Sequence, residues 1–206
     1  MQHSCISDKN GQLQLSSNVD SLYDGEGIVI KSWNEMKALP NNRYRAECGN
    51  VLISPNPGND SQYFIIRIGY LIENGFTPNK HQLTVYTYDA GRKRIVDSIV
   101  HPINAIMGDI KATLHANGQD YWVAITNYIE RSISIYLLSN GGLAAIPSSK
   151  ILIDSPVENL NNVFNIEHCN YEILFSPNGN YLAINYDHQR LARSPQQLNS
   201  ISIEFI

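Results

Sequence analysis

Apolar residues in this chain fall in short runs broken by Asn, Gly, Pro and Asp. Leu83-Thr84-Val85-Tyr86-Thr87-Tyr88 and Ile133-Ser134-Ile135-Tyr136 alternate, or nearly so, with a period of two, which predicts strands with one buried face. Tyr63-Phe64-Ile65-Ile66 is continuously apolar, which predicts a strand covered on both faces. Strands are expected over 63–72, 83–88, 94–100, 121–128, 132–138, 181–186 and 200–205. Helical periodicity is nearly absent. The one permissive stretch, 33–39, is stopped by Pro40.

A repeat organises these runs. Val51-Leu52-Ile53-Ser54-Pro55-Asn56-Pro57-Gly58, Ala112-Thr113-Leu114-His115-Ala116-Asn117-Gly118 and Ile173-Leu174-Phe175-Ser176-Pro177-Asn178-Gly179 each couple a short strand to a turn. Ser54, His115 and Ser176 mark the register, and each step is 61 residues. A weaker copy, Cys5-Ile6-Ser7-Asp8-Lys9-Asn10-Gly11, stands 47 residues before Ser54. Pro55 and Pro177 preset φ at a corner, and Asn and Gly accept the left-handed conformation beyond it. Ser54, His115 and Ser176 are placed to bond back to the turn.

A second strand follows each turn and a third follows that. A fourth follows in two units, at 94–100 and about 143–153. A four-stranded antiparallel meander of this length has the size of a propeller blade. The expected fold is therefore all-β, with WD40-like β-propeller blades in a single domain, 1–206. The blades are expected near 5–45, 46–105, 106–165 and 166–206, forming an incomplete or open ring. A two-sheet sandwich is the alternative, and the regular step weighs against it. The last strand, carrying Ile201, Ile203 and Phe205, is expected to be an unpaired edge that self-associates.

Composition narrows the function classes. The net charge is −4, and the only basic cluster is Arg92-Lys93-Arg94, so nucleic acid is not an expected partner. The chain is 43% apolar and 17% charged, an ordinary folded composition, and no apolar run is long enough to span a membrane. No signal peptide is visible at the N-terminus. The three cysteines, Cys5, Cys48 and Cys169, match no zinc or redox spacing. Free thiols are expected, with one bridge, Cys5–Cys48, as the alternative.

Four segments resemble a known family. Ile6-Ser7-Asp8-Lys9-Asn10-Gly11, followed by Tyr23-Asp24-Gly25 and Trp33-Asn34, is similar to the opening of large Bacteroidetes surface proteins. Ser54-Pro55-Asn56-Pro57-Gly58 with Tyr63-Phe64 resembles their next unit. His115-Ala116-Asn117-Gly118-Gln119-Asp120-Tyr121-Trp122-Val123 resembles their HANGxDYWV motif, the most specific of the four. Phe175-Ser176-Pro177-Asn178-Gly179 with Tyr181-Leu182-Ala183 resembles their SPDGxxLA. These proteins join a propeller-like region to a gliding-motility-associated or type IX secretion sorting domain. The resemblance covers about residues 5–206. It implies an extracellular or cell-surface location, and it carries over no catalytic residue.

Candidate chemistry is sparse. His115 and Asp120 could form a polarised base, but both flank one turn. The expected roles are local: Asp120 accepts turn amides, and Trp122 fills the space between blades. Ser54, Asn56, His115, Asn117, Asp120, Trp122, Ser176 and Asn178 are thus expected to build the turn and blade motif. The carboxylates show no glycosidase spacing, and residues 20–26 lack a full calcium-ligand series. The other histidines stand singly, and no phosphate loop or hydrolase motif is present. No metal, cofactor or catalytic residue is expected. Most of the twelve tyrosines are expected in strand packing, with Tyr23 and Tyr44 as the loop candidates for a binding surface, and the Asn-rich loop 159–165 suits carbohydrate or peptide bonding and plain solvated turns equally.

The expected function is a non-enzymatic binding or scaffold module of a cell-surface or secreted bacterial protein, with a protein or glycan ligand. The alternatives are the accessory propeller of a larger glycosidase or peptidase, and an intracellular WD40-like scaffold.

Overall fold

The computed structural model describes residues 4–18, 20–33, 50–72, 76–103, 109–127, 132–152, 171–179, 181–186 and 199–204. Tyr44, Cys48, Cys169, Phe205, the loop 159–165 and residues 34–39 lie outside the described residues. All regular structure among the described residues is strand, in four antiparallel sheets that follow chain order.

The first sheet runs β1 (Ser4–Ser7), β2 (Leu13–Ser17), β3 (Ser21–Asp24) and β4 (Val29–Ser32). The second runs β5 (Val51–Asn56), β6 (Asn59–Ile72), β7 (Phe76–Asp89) and β8 (Arg94–Ile103). The third runs β9 (Ile110–Leu114), β10 (Tyr121–Asn127) and β11 (Ser132–Ser139), and its fourth place is shared. Both β12 (Gly142–Leu143) and β13 (Ser149–Leu152) pair with β11, one at each end, where a single strand over 143–153 was expected. The fourth sheet runs β14 (Tyr171–Phe175), β15 (Tyr181–Tyr186) and β16 (Asn199–Glu204).

Each sheet is a meander, and neighbouring sheets touch through their first strands: β1 with β5, β5 with β9, and β9 with β14. That is the stacking of propeller blades, whose first strands line the axis. Two hydrogen bonds tie these inner strands. Ser4 Oγ accepts from Ile53 N at 3.2 Å, and Asp109 Oδ2 accepts from Ile173 N at 3.1 Å.

The cores lie between blades. Leu15, Leu22 and Trp33 of the first blade pack with Ile53, Tyr63, Ile65 and Tyr88 of the second. Phe64, Ile66, Ile68, Leu83 and Val85 face the third blade and meet Val123, Ile125, Tyr136 and Leu138. Ala124, Ile133 and Ile135 face the fourth blade and meet Ile173 and Leu182. Successive side chains of β6 thus enter different cores, which is why its apolar run is continuous. The expectation of a single buried face on 83–88 and 133–136 is corrected. Tyr88 and Thr84 of β7 are buried as well as Leu83 and Val85, and Tyr136 of β11 as well as Ile133 and Ile135. A strand inside a stack has a neighbouring blade on each side, and a tyrosine in a period-two pattern does not mark a solvated face.

Cys5 is exposed and free, so it is not half of a bridge to Cys48.

Candidate functional site

The turn between the first two strands of each blade holds most of the residues singled out from sequence. His115 N donates to Asp120 O at 2.8 Å, and Gly118 N donates to His115 O at 2.9 Å. Ser176 N donates to Tyr181 O, and Gly179 N to Ser176 O. Asp8 N donates to Gln12 O, and Gly11 N to Asp8 O. Gly11, Gly118 and Gly179 have φ of 81, 74 and 71°, the left-handed region that glycine enters without penalty.

Each turn also uses the side chain of its first residue. Asp8 Oδ1 accepts from Asn10 N and Gln12 N. His115 Nδ1 accepts from Asn117 N at 3.0 Å, and Ser176 Oγ accepts from Tyr181 N at 2.9 Å. Asn178 Oδ1 accepts from the Ser176 hydroxyl.

Asp120 does not take the turn amides. Asn117 Oδ1 accepts from both Gln119 N and Asp120 N, and Asn117 Nδ2 donates to Asp120 Oδ2 at 2.7 Å. Asp120 therefore faces an amide, not the imidazole of His115. The His115 ring instead lies against Trp122, with centroids 4.8 Å apart and planes at 54°. Trp122 packs on the core between the third and fourth blades.

The second blade departs from the pattern. Its hairpin turns at Pro57-Gly58, with Asn56 opposite Asn59 and Gly58 at φ 93°. Pro55 lies inside β5 rather than at the corner. Ser54 is buried two residues before the turn-closing pair, and its hydroxyl donates to Pro55 O. Asn56 occupies the place that His115 and Ser176 hold in their blades, and its Nδ2 donates to Gln62 Oε1 at 3.0 Å.

The structure brings these turns to one end of the stack. A Cβ on Gly58 would lie 3.4 Å from Asn140 Cβ, in the β11–β12 turn. A Cβ on Gly179 would lie 3.1 Å from Thr113 Oγ1 and 3.3 Å from Leu114 O. Lys93 Nζ, in the β7–β8 turn, is 3.0 Å from Glu26 Oε1, in the β3–β4 turn.

A groove of about 550 Å³ opens between the first and second blades, lined by Asp24, Ile28–Lys31, Tyr86, Lys93–Ile95 and Ser98. Its size is that of a ligand site. Buried Trp33 backs it, with its ring 5.2 Å from Tyr86. Lys31 Nζ lies 5.2 Å from the Tyr86 centroid and 5.7 Å from that of Trp33, and the Arg67 guanidinium lies 4.7 Å from Trp33. Asp24 is committed locally, because its Oδ1 accepts from Glu26 N and Ile28 N. The Glu26 contact holds Lys93 protonated to higher pH than usual. The Arg92-Lys93-Arg94 cluster was the one sequence signal pointing here. Lys31 gave none, and Trp33 entered only through the Trp33-Asn34 match to the family's opening segment. Among the described residues, no group of three or more His, Cys, Asp or Glu side chains could hold a metal ion.

No family model matches the chain, and no curated protein matches it at a significant level. Among solved structures it is similar to hydrazine synthase of Kuenenia stuttgartiensis, with TM-score 0.52 and 13% identity over 98% of this chain and 50% of that one. It also aligns with the periplasmic gluconolactonase PpgL of Pseudomonas aeruginosa, with TM-score 0.36 and 14% identity over 98% of this chain and 69% of that one. The chain thus spans about half the length of the hydrazine synthase chain it matches, and at this identity the likeness is one of fold. Among the described residues the chain is all-β, built of propeller-type antiparallel blades of three to five strands.

Proposed function

We propose that this chain is a binding and scaffold module of a cell-surface or secreted bacterial protein, without catalytic chemistry of its own. The observation that carries the reading is how the turn side chains are spent. His115 Nδ1 and Asn117 Oδ1 accept the turn's own amides, and Asp120 is held by Asn117, so the one acid–base pair suggested by the sequence is not formed. What the blades offer outward is surface. Val29 on β4, Val96, Ile99 and Val100 on β8, and Leu152 on β13 are exposed apolar side chains on outermost strands. Such rims suit protein contact. The surface location follows from the resemblance of the HANGxDYWV and SPNG segments to Bacteroidetes sorting-domain proteins. Among the described residues β16 pairs with β15 alone, which supports self-association through that edge.

The test is an array of peptides and glycans probed with the purified 206-residue chain and with a Val29→Asp, Val100→Asp variant. Saturable binding that the rim variant loses, with unchanged thermal melting, is the expected result. Chemical conversion of a bound ligand would overturn the reading, as would binding lost only in His115→Ala.

A further inference from the structure

We propose that the groove between the first and second blades binds an extended acidic peptide segment whose apolar side chains alternate with carboxylates. The inference rests on the binding-module reading and gives it a site and a partner chemistry.

Both walls end in outermost strands, β4 and β8, each paired on one side only among the described residues. Both strands carry a bulge, β4 between Val29 and Lys31 and β8 between Ile95 and Asp97, and Asp97 Oδ1 accepts from Ser98 N. Bulges and an edge carboxylate blunt both outer edges. Apolar side chains line the groove, Ile28, Val29, Ile30 and Ile95, and two keep much of their surface in water: Ile28 is 60% exposed and Val29 51%.

The charges on the groove favour an anion. Lys31, Lys93 and Arg94 line it, and its one carboxylate, Asp24, is buried and already accepts two backbone amides. The cations are spread over both walls, Lys31 on β4 and Lys93 and Arg94 at the start of β8. They therefore match carboxylates spaced along a chain better than one small anion. The protein already places a carboxylate on one of them: Glu26 meets Lys93 at 3.0 Å. Both side chains are more than three-fifths exposed, and a bridge so solvated is cheap to exchange for a ligand's carboxylate. The face of Tyr86, with Lys31 over it, offers a flat contact beside these charges. A polyanionic glycan would use the cations and leave the apolar side chains uncovered, so the peptide is the better fit.

The experiment is a fluorescence-anisotropy titration of the chain into a fluorescein-labelled peptide of alternating Glu and Val, with a Lys and Val peptide as control and polygalacturonate as competitor. Saturable binding is expected for the Glu peptide alone. Arg94→Glu and Lys31→Glu should each weaken it by about tenfold, while Lys9→Glu on the turn face leaves it unchanged. Added salt should weaken it further. Absence of Glu-peptide binding, equal binding of the Lys peptide, insensitivity to both reversals, or preferential capture of polygalacturonate at the groove would each overturn the proposal. A ligand of other chemistry held on the β8 rim would leave the binding-module reading standing while this one fails.

Discussion

Asp8, Asn56, His115 and Ser176 hold equivalent places, each opening the turn that follows the first strand of its blade. His115 and Ser176 were placed correctly from sequence, but the 61-residue step set Ser54 where Asn56 opens the turn, and the 47-residue step set Ser7 where Asp8 does. Ser54-Pro55-Asn56-Pro57-Gly58 contains two prolines able to form a corner, and only pairing with β6 chooses Pro57-Gly58. The weak copy at Asp8 obeys the hydrogen-bond pattern better than Ser54 does, because an aspartate accepts turn amides as well as a serine. His101 carried no signal at all. It lies on β8 opposite Leu83, is 8% exposed, and its Nε2 has no hydrogen-bond partner among the described residues. Burial holds its pKa below the ordinary 6.5. Above about pH 6.5 the ring is neutral whether folded or unfolded, and it makes no difference to stability. As pH falls below that value the unfolded chain takes up the proton first, so stability is lost progressively through the depressed folded pKa. Urea melts should therefore show the chain weakening from about pH 7 to pH 5, with a flatter profile in His101→Leu. Parallel profiles for the two proteins would contradict this reading of His101.

Strands were the most legible level, because short apolar runs between Asn, Gly and Pro define them without tertiary information. Their two-sided burial was less legible. Leu83, Val85 and Ile133 announce one apolar face, whereas Tyr88, Thr84 and Tyr136 conceal the other behind polar atoms. The contact between blades was not legible, since it depends on which turn meets which strand. Gly179 shows this. Its φ of 71° resembles the 74° of Gly118, but its missing Cβ makes room for Thr113 and Leu114 of the neighbouring blade, whereas a Cβ on Gly118 meets nothing within 4 Å. Gly118→Ala should cost about 1 kcal/mol, the strain of a left-handed alanine. Gly179→Ala should cost about 1–2 kcal/mol more, because the β14–β15 turn must also withdraw from β9. Denaturant melts of the two variants measure the difference. Equal losses would mean that the turn does not rest on β9.

At the scale of the molecule, four meanders stack in chain order through their first strands, and three cores fill the spaces between them. The repeat predicted the meanders and their order. The groove between the first two blades was beyond its reach, because the groove depends on how far apart β4 and β8 stand. A sandwich would make the same strands from the same sequence but would not set the first turn of one sheet against the outer turn of the next. In the propeller stack that meeting is close: the Cβ position of Gly58 is 3.4 Å from that of Asn140, near the separation of about 3.8 Å that a disulfide spans. The most direct measurement is therefore oxidation of a Gly58→Cys, Asn140→Cys chain in which Cys5, Cys48 and Cys169 are replaced by Ser, followed by peptide mapping. The blade stack predicts one intramolecular 58–140 bridge, formed in the folded monomer and absent after oxidation in urea. A folded monomer whose two thiols stay free would contradict it.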